Sequence, residues 1–569
     1  MNEPATQNEI DYGTALERAS DEPVDDSEVE LNRMISSIGF GKFHRRILGL
    51  CGLGWLADNM FMQCVACILP RVQQHFSVSN GRIGLMSSSM FLGLTGGALM
   101  WGLLSDRYGR LVAYRWTLVV SAAFAMLASF APTFGVFCAC LFGLGTGVGG
   151  NMPVDGAIFL EFIPREKRHL LTLLSVFFSF GSVLTSALAL AILPPFSCPD
   201  DDQVCDVSKL NNGWRYLMVT LSLITMVMVV LRNGWFSIYE SPKFLLQQNR
   251  RSDVIIVLKK IVRFNGGTAK GMTPSLYDRD HSDSQDVANF ESSLISPQTN
   301  TSSADIARSP SLSSSDDMSW LEWPEDIDEP GRPANQPQTK PIESRIRSAL
   351  DFRSHMRALE PLFTPELRRT TILIWLIWSL VAMGFTMFNV FLPKFLESRG
   401  TPDTQQPLLA TSPHSKQTAV YRDALIYAIS GIPGSILGAW MVDTRLGRIY
   451  SMATSTFFAG LALIAFAMTA KTHIAWLTTL SSSVFGLTSS LMYAIIYAYT
   501  PEVFHPSVRG TACGIASAMG RVAGIIAPLI AGVLLEVSTT LPMYLSVALL
   551  WLSAASMVAL PIETRDIAT

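Results

Sequence analysis

Apolar residues fall in runs of about twenty, the length a helix needs to cross the hydrocarbon core of a bilayer, and polar residues gather in the gaps between them. In the first half the runs are Ile47 to Pro70, Ile83 to Leu104, Leu111 to Ala131, Phe134 to Ile158, Leu170 to Leu193 and Trp214 to Phe236. In the second half they are Thr370 to Phe395, Tyr421 to Val442, Tyr450 to Ala470, Ile474 to Tyr499, Thr511 to Leu535 and Leu541 to Leu560. This pattern predicts an all-α integral membrane protein with about twelve transmembrane helices in two six-helix bundles.

The polar segments divide the chain further. Residues 1–46 form an acidic tail, expected to be disordered from Met1 to Glu30, followed by a basic-aromatic collar from Ile38 to Arg46. The start carries no charged-then-apolar pattern of a cleavable signal. Residues 47–249 and 368–563 are the two bundles, 250–367 a hydrophilic linker and 564–569 a short tail. In the linker, Val254, Leu258 and Ile261 recur at helical spacing within Ser252 to Phe264, and Arg345 to Arg357 reads as a second amphipathic helix. Between them Ser282 to Asp316 is Ser- and Asp-rich, as a disordered, phosphorylatable segment would be. Arg107, Arg110, Arg115, Arg165, Lys167, Arg168, Arg445, Arg448 and Arg509 occupy alternate loops, which places those loops and both termini in the cytosol. The sequon Asn300-Thr301-Ser302 then lies on the cytosolic side and should stay unmodified. The plasma membrane and an internal vesicular or vacuolar membrane are both open.

Composition agrees. The chain is 49% hydrophobic and 16% charged, with a mean hydropathy of +0.31, outside the range of soluble domains. Its net charge of −3 is segregated along the chain and names no partner. Six of the eight cysteines lie within apolar runs, where thiols pack and stay inert. Cys198 and Cys205 lie instead in an acidic outward loop with Asp200, Asp201, Asp202 and Asp206, where a disulfide and two free thiols are equally open.

Two loops repeat across the halves. Gly102 to Arg110 reads GLLSDRYGR between the second and third spans, and Ala439 to Arg448 reads AWMVDTRLGR between the eighth and ninth, with one extra residue between Asp443 and Gly447. Both resemble the corresponding loops of the major facilitator superfamily of secondary transporters. GLGWLADNM (Gly52 to Met60), GVGGNMPVDGAIFLEFIP (Gly147 to Pro164), YESPKFLL (Tyr239 to Leu246) and YTPEVFHPSVRGTACGI (Tyr499 to Ile515) resemble its synaptic-vesicle-glycoprotein-2-related, organic-ion and sugar-like porter branch. The resemblance implies two bundles working by alternating access. It implies a latch in which Asp106 caps a neighbouring helix and Arg110 grips an acid, with Arg107, Glu161, Glu240, Asp443, Arg448 and Glu502 as its other members. Three departures stand out: Leu141 replaces an Arg before the glycines of the fourth span, Phe61 a Glu in the first, and the fifth lacks an antiporter Gly-Pro-x-x-Gly-Gly.

Charge near mid-membrane is costly and marks function. Asp58 lies about eleven residues, or roughly 16 Å, into the first span. It is a candidate proton carrier, or else a fixed partner for a dipole or for Asn59. Arg521, in the eleventh span beside Gly514 and Ala518, needs a carboxylate or an anionic ligand. If the two face one another they neutralise each other, and an anion competing for Arg521 would free Asp58 to take a proton. Asn151 and Asp155 lie one turn apart in the fourth span. Trp378, Phe385 and Asn389 share a face of the seventh, and Ser490, Tyr493 and Tyr497 a face of the tenth. Such stripes suit a cavity for a small polar-aromatic solute, and suit packing as well. No zinc-ligand spacing, phosphate loop or nucleophile-base pair points to an enzyme, a metal or nucleic acid. The expectation is a monomer in the bilayer that moves a small organic solute, carboxylates among the candidates, without a cofactor and driven by a proton gradient. A secondary-metabolite exporter and a non-transporting nutrient sensor or scaffold are the alternatives.

Overall fold

The computed structural model describes residues 26–164, 167, 170–171, 174–198, 205–235, 238–266, 360–365, 367–397, 415–441, 444, 446–469, 475–504 and 506–564. Among them are twelve long helices: α1 Lys42–Phe76, α2 Asn80–Tyr108, α3 Arg110–Ser129, α4 Phe134–Phe162, α5 Leu174–Ile192, α6 Gly213–Val230, α7 Arg368–Asn389, α8 Ser415–Met441, α9 Gly447–Thr469, α10 Ala475–Val503, α11 Pro506–Val537 and α12 Leu541–Val558. Eleven are long and apolar enough to cross a membrane. The exception, α8, begins with Lys416, Arg422 and Asp423 and continues through Gly431, Pro433, Gly434 and Gly438, which lower its hydropathy without shortening it.

Most helices overrun the apolar runs that predict them, because a helix continues past the hydrocarbon into water as long as its backbone bonds are made. Two ends differ for other reasons. The seventh span stops at Asn389, and a separate short helix, Leu392–Glu397, carries the chain outward. The sixth closes in a π-helical turn, Leu231–Trp235, that places Arg232 against the bundle. Where the acidic tail is described, Asp26–Ile38 is a helix, and Glu28 pairs with Lys243 on the short helix Pro242–Gln247. The first linker helix spans Arg251–Asn265 and buries Val254, Val257, Leu258 and Ile261. Asn265 at its end accepts a hydrogen bond from the backbone N–H of Phe43 at 2.9 Å. The second amphipathic segment, the Ser-rich stretch, the sequon and Asp443 lie outside the described residues.

Within the first half, glycine brings backbones into contact. A Cβ on Gly93 or Gly97 of α2 would lie about 2 Å from the carbonyl oxygens of Phe142 or Thr146 on α4, and one on Gly145 or Gly149 would meet those of Met90 or Leu94. Small residues are thus required on both sides of this seam. Across the halves, α2 packs on α11 and α5 on α8. Among the described residues no comparable packing joins α4 to α10, or α1 to the body of α7, which leaves a central space between these four helices.

That space is sealed at the face opposite the Arg-rich loops. Arg71 of α1 is buried and ion-paired to Glu397, and it donates to the Cys198 carbonyl at 3.0 Å. Gln417 of α8 donates to the same carbonyl at 2.6 Å. Lys394 donates to Gln73 and Asn80, and Tyr421 to the Cys67 carbonyl. Cys198 and Cys205 are disulfide-bonded there. Towards the Arg-rich face the hydrogen bonds between halves end, among the described residues, with Ser179 and Ser435, 3.2 Å apart. Beyond it Gly510 and Gly514 of α11 face open space.

The seal predicts a measurable gate. Glu397→Gln leaves a buried guanidinium without its countercharge, which favours separation of the halves at this end. Maleimide labelling of Cys67, buried one turn below Arg71, should then become several-fold faster from the Cys198 side. Unchanged labelling would show that the ion pair does not hold the seal.

Candidate functional site

The site is assembled from two unlike walls. On the second-half wall, Trp378 of α7 donates its indole N–H to Thr500 at 3.0 Å, which fixes the ring edge-on to Tyr497 at 5.0 Å between centroids. Tyr493 follows one turn along α10 and meets Phe385 edge-on at 5.2 Å, and Phe385 stacks with Phe485. Tyr497 is half exposed although it lies within a helix bundle, so the open space reaches it. Four of the six stripe residues therefore form one aromatic surface. The other two turn away: Asn389 accepts from the Tyr427 hydroxyl at 2.9 Å, and Ser490 lies against Gly431, so both serve the packing of α8.

Arg521 reaches across from α11 to α2 and donates to the Leu94 carbonyl at 2.7 Å. It interacts electrostatically with Tyr497 and Asp58. Among the described residues it makes no ion pair with Asp58 within 4.0 Å, so the direct pairing conditional on the two facing one another is not formed. Helix α2 supplies a closer acceptor than the carboxylate does.

The first-half wall is a ladder of polar groups. Asn151 of α4 donates to Asp58 Oδ1 at 2.7 Å, and both side chains are buried. One turn on, Asp155 accepts from Arg232 through both oxygens, at 2.7 and 2.6 Å. Arg232 also donates to the Tyr114 carbonyl at 2.8 Å and lies 3.7 Å over the Tyr114 ring. Gly54 makes the ladder possible, since a Cβ there would lie 1.8 Å from Asp155 Oδ2. Asp155, a candidate for solute binding on sequence grounds, is thus committed to Arg232. That arginine was not singled out, although an arginine inside the sixth apolar run at the depth of Asp155 was the available signal. Asn151 Oδ1 is buried with no hydrogen-bond partner, an arrangement that costs about 1–3 kcal/mol.

The Arg-rich ends carry two matching latches. Gly109 and Gly447, at φ of +106° and +69°, make the turns into α3 and α9 that few other residues could adopt. Behind each turn an arginine grips an acid: Arg110 Nε is 3.2 Å from Glu161, and Arg448 Nη2 is 3.1 Å from Glu502. A second acid caps the helix start. Glu240 accepts from the N–H groups of Arg110 and Leu111, and Glu563 from those of Arg448 and Ile449. Glu563 was missed, though it ends the second half as Glu240 ends the first. Among the described residues Asp106 pairs with Arg110 and caps no neighbouring helix, and Arg107 lies over the Tyr108 ring and joins no acid.

The Asp155–Arg232 pair makes a stability prediction. Asp155→Asn strands a buried guanidinium and should cost about 3–5 kcal/mol, whereas replacing both residues with apolar ones of similar volume should cost far less. Thermal unfolding of the two variants checks this, and equal losses would contradict it.

Comparison with known proteins agrees with this architecture. The family description Major Facilitator Superfamily matches residues 52–528 and 374–568. An uncharacterized MFS-type transporter of Schizosaccharomyces pombe is 32% identical over 540 residues, covering 94% of this chain and 88% of its own. MFS siderochrome iron transporter 1 of Ceriporiopsis subvermispora is 32% identical over 533 residues, covering 93% and 89%. The partially occluded inward-open structure of the xylose transporter XylE from E. coli superposes with a TM-score of 0.58 at 15% identity, covering 92% of this chain and 99% of its own. Twelve helices in two halves, paired latches and these matches lead to one conclusion: the chain belongs to the major facilitator superfamily of membrane transporters.

Proposed function

We propose that this transporter moves a small organic solute bearing a carboxylate and a flat or aromatic body, in symport with protons, by alternating access around the central space. The observation that carries the reading is the position of Arg521, which acts electrostatically on Tyr497 at one end of the aromatic surface that Trp378, Tyr493 and Phe385 continue. The guanidinium offers a planar fork to a carboxylate, and the rings offer stacking area to the rest of the solute. Asp58 is the proton carrier. Its countercharges are at a distance rather than in contact, so one proton decides its charge.

The cycle follows from linkage. An anion on Arg521 withdraws positive charge from the vicinity of Asp58 and so favours its protonation, and a proton on Asp58 favours the anion in turn. The latches at the Arg-rich face and the Arg71–Glu397 seal set the equilibrium between the two open states. The protein acts as a monomer, with its Arg-rich face and both termini in the cytosol, and needs no cofactor beyond the proton gradient.

Proteoliposomes screened with a panel of organic acids test the reading. Asp58→Asn should abolish the pH dependence of uptake while solute exchange survives. Arg521→Lys should weaken anionic solutes by roughly tenfold or more, in line with the 1.5–3 kcal/mol of a hydrogen bond to a charged group. Full proton-driven accumulation in Asp58→Asn would remove the coupling role, and equal loss for neutral and anionic solutes would remove the anion site. Asp106→Asn should slow turnover with little change in solute affinity. A large loss of affinity at normal turnover would instead place Asp106 in binding.

A further inference from the structure

We infer that Asn151 is a two-position amide rotor that follows the protonation state of Asp58. The inference rests on the reading of Asp58 as the proton carrier and adds a positioning residue to it. In the geometry described, the amide presents Nδ2 to Asp58 Oδ1 at 2.7 Å, the orientation a carboxylate requires. Its other end, Oδ1, is buried and bonded to nothing. Turning the amide half a revolution about χ2 therefore breaks one hydrogen bond, the one to Asp58, and no second one. The volume swept is the same in both positions, and this torsion is broad and roughly two-fold for asparagine.

Protonation supplies the reason to turn. A proton added to Oδ1 of Asp58, the oxygen that faces Asn151, makes it an O–H donor and removes the acceptor that Nδ2 used. The amide then presents Oδ1 to that O–H. No other group is consumed, and release of the proton to water reverses the step. An amide is among the few neutral groups that can donate to the anion and accept from the acid.

The charged surroundings of Asp58 leave this task to Asn151. Asp155 acts on it from α4, Arg232 from the end of α6 and Arg521 from α11. Asp155 and Arg232 are bonded to each other, and Arg521 to the Leu94 carbonyl. Helix α5, packed along α1, contains no ionisable side chain. The charges of the short helix Leu392–Glu397 lie at the other end of α1, with Arg71 and Gln73. None of these makes a hydrogen bond to the Asp58 carboxyl among the described residues, whereas Asn151 does.

Infrared difference spectra of the purified full chain in nanodiscs, acid minus alkaline, test the inference with the proton as the probe. Asparagine is supplied with carbon-13 and nitrogen-15 labels. The wild type should show a carboxylic-acid C=O band that is absent from Asp58→Asn, together with a side-chain amide band that moves with the label. In Asn151→Leu the amide band should vanish and the acid band should shift to the frequency of an unbonded acid. An Asp58-dependent acid band with no label-sensitive amide band would overturn the rotor and leave Asp58 as proton carrier. Absence of any Asp58-dependent acid band would overturn both. If Asn151→Leu does not fold, Asn151→Gln keeps an amide without the asparagine label, so the label-sensitive band should vanish while the acid band stays; a label-sensitive band that survives in Asn151→Gln would overturn the rotor.

Discussion

An ion inside a bilayer must be paired or neutralised, and the placement of charge in this protein follows from that constraint. Arg71 is matched by Glu397 where the halves meet, and Arg232 by Asp155 within one half. In both pairs each charge meets its opposite directly. Asp58 and Arg521 are different, because each is held by a neutral group, an amide and a carbonyl. A charge held that way stays responsive to a proton or an anion. What separates structural from functional charge here is thus the identity of the partner, an opposite charge in one case and a neutral group in the other.

The repeat of the latches shows how one sequence device is used twice. In each half a glycine turn, an arginine and two acids tie the Arg-rich ends of neighbouring helices together, so each bundle is braced internally at that face. Bonds between the halves, by contrast, are concentrated towards the opposite face. Stiff halves with a separable junction are what rocking about a central site requires.

The fold was legible because hydropathy reports desolvation directly, so each run of apolar residues became a helix. Helix ends were less legible: α1 continues to Phe76 and α10 to Val503, where hydrogen bonding rather than hydrophobicity decides. The site was half legible. Depth picked out Asp58 and Arg521, the one-turn spacing from Asp155 picked out Asn151, and helical spacing picked out Trp378, Phe385, Tyr493 and Tyr497. Spacing could not show that Asn389 and Ser490 face α8, because a periodic stripe gives a direction around one helix and not the neighbour met there. Arg232 and Glu563 escaped for a related reason. Their roles exist only through Asp155 and the α9 turn, contacts remote in sequence.

The carbonyl of Leu94 has a double duty. On one side it abuts Gly149 of α4, with no room for a methyl group, and on the other it receives the guanidinium of Arg521. A single peptide oxygen thus spans the thickness between a packing seam and a charged site. The glycine at 149 never touches the second half, yet it sets where α2 lies and so where Arg521 finds its acceptor. Selection for close packing and selection for solute charge therefore act on this helix through the same atom, and a lineage could retune one by drifting in the other.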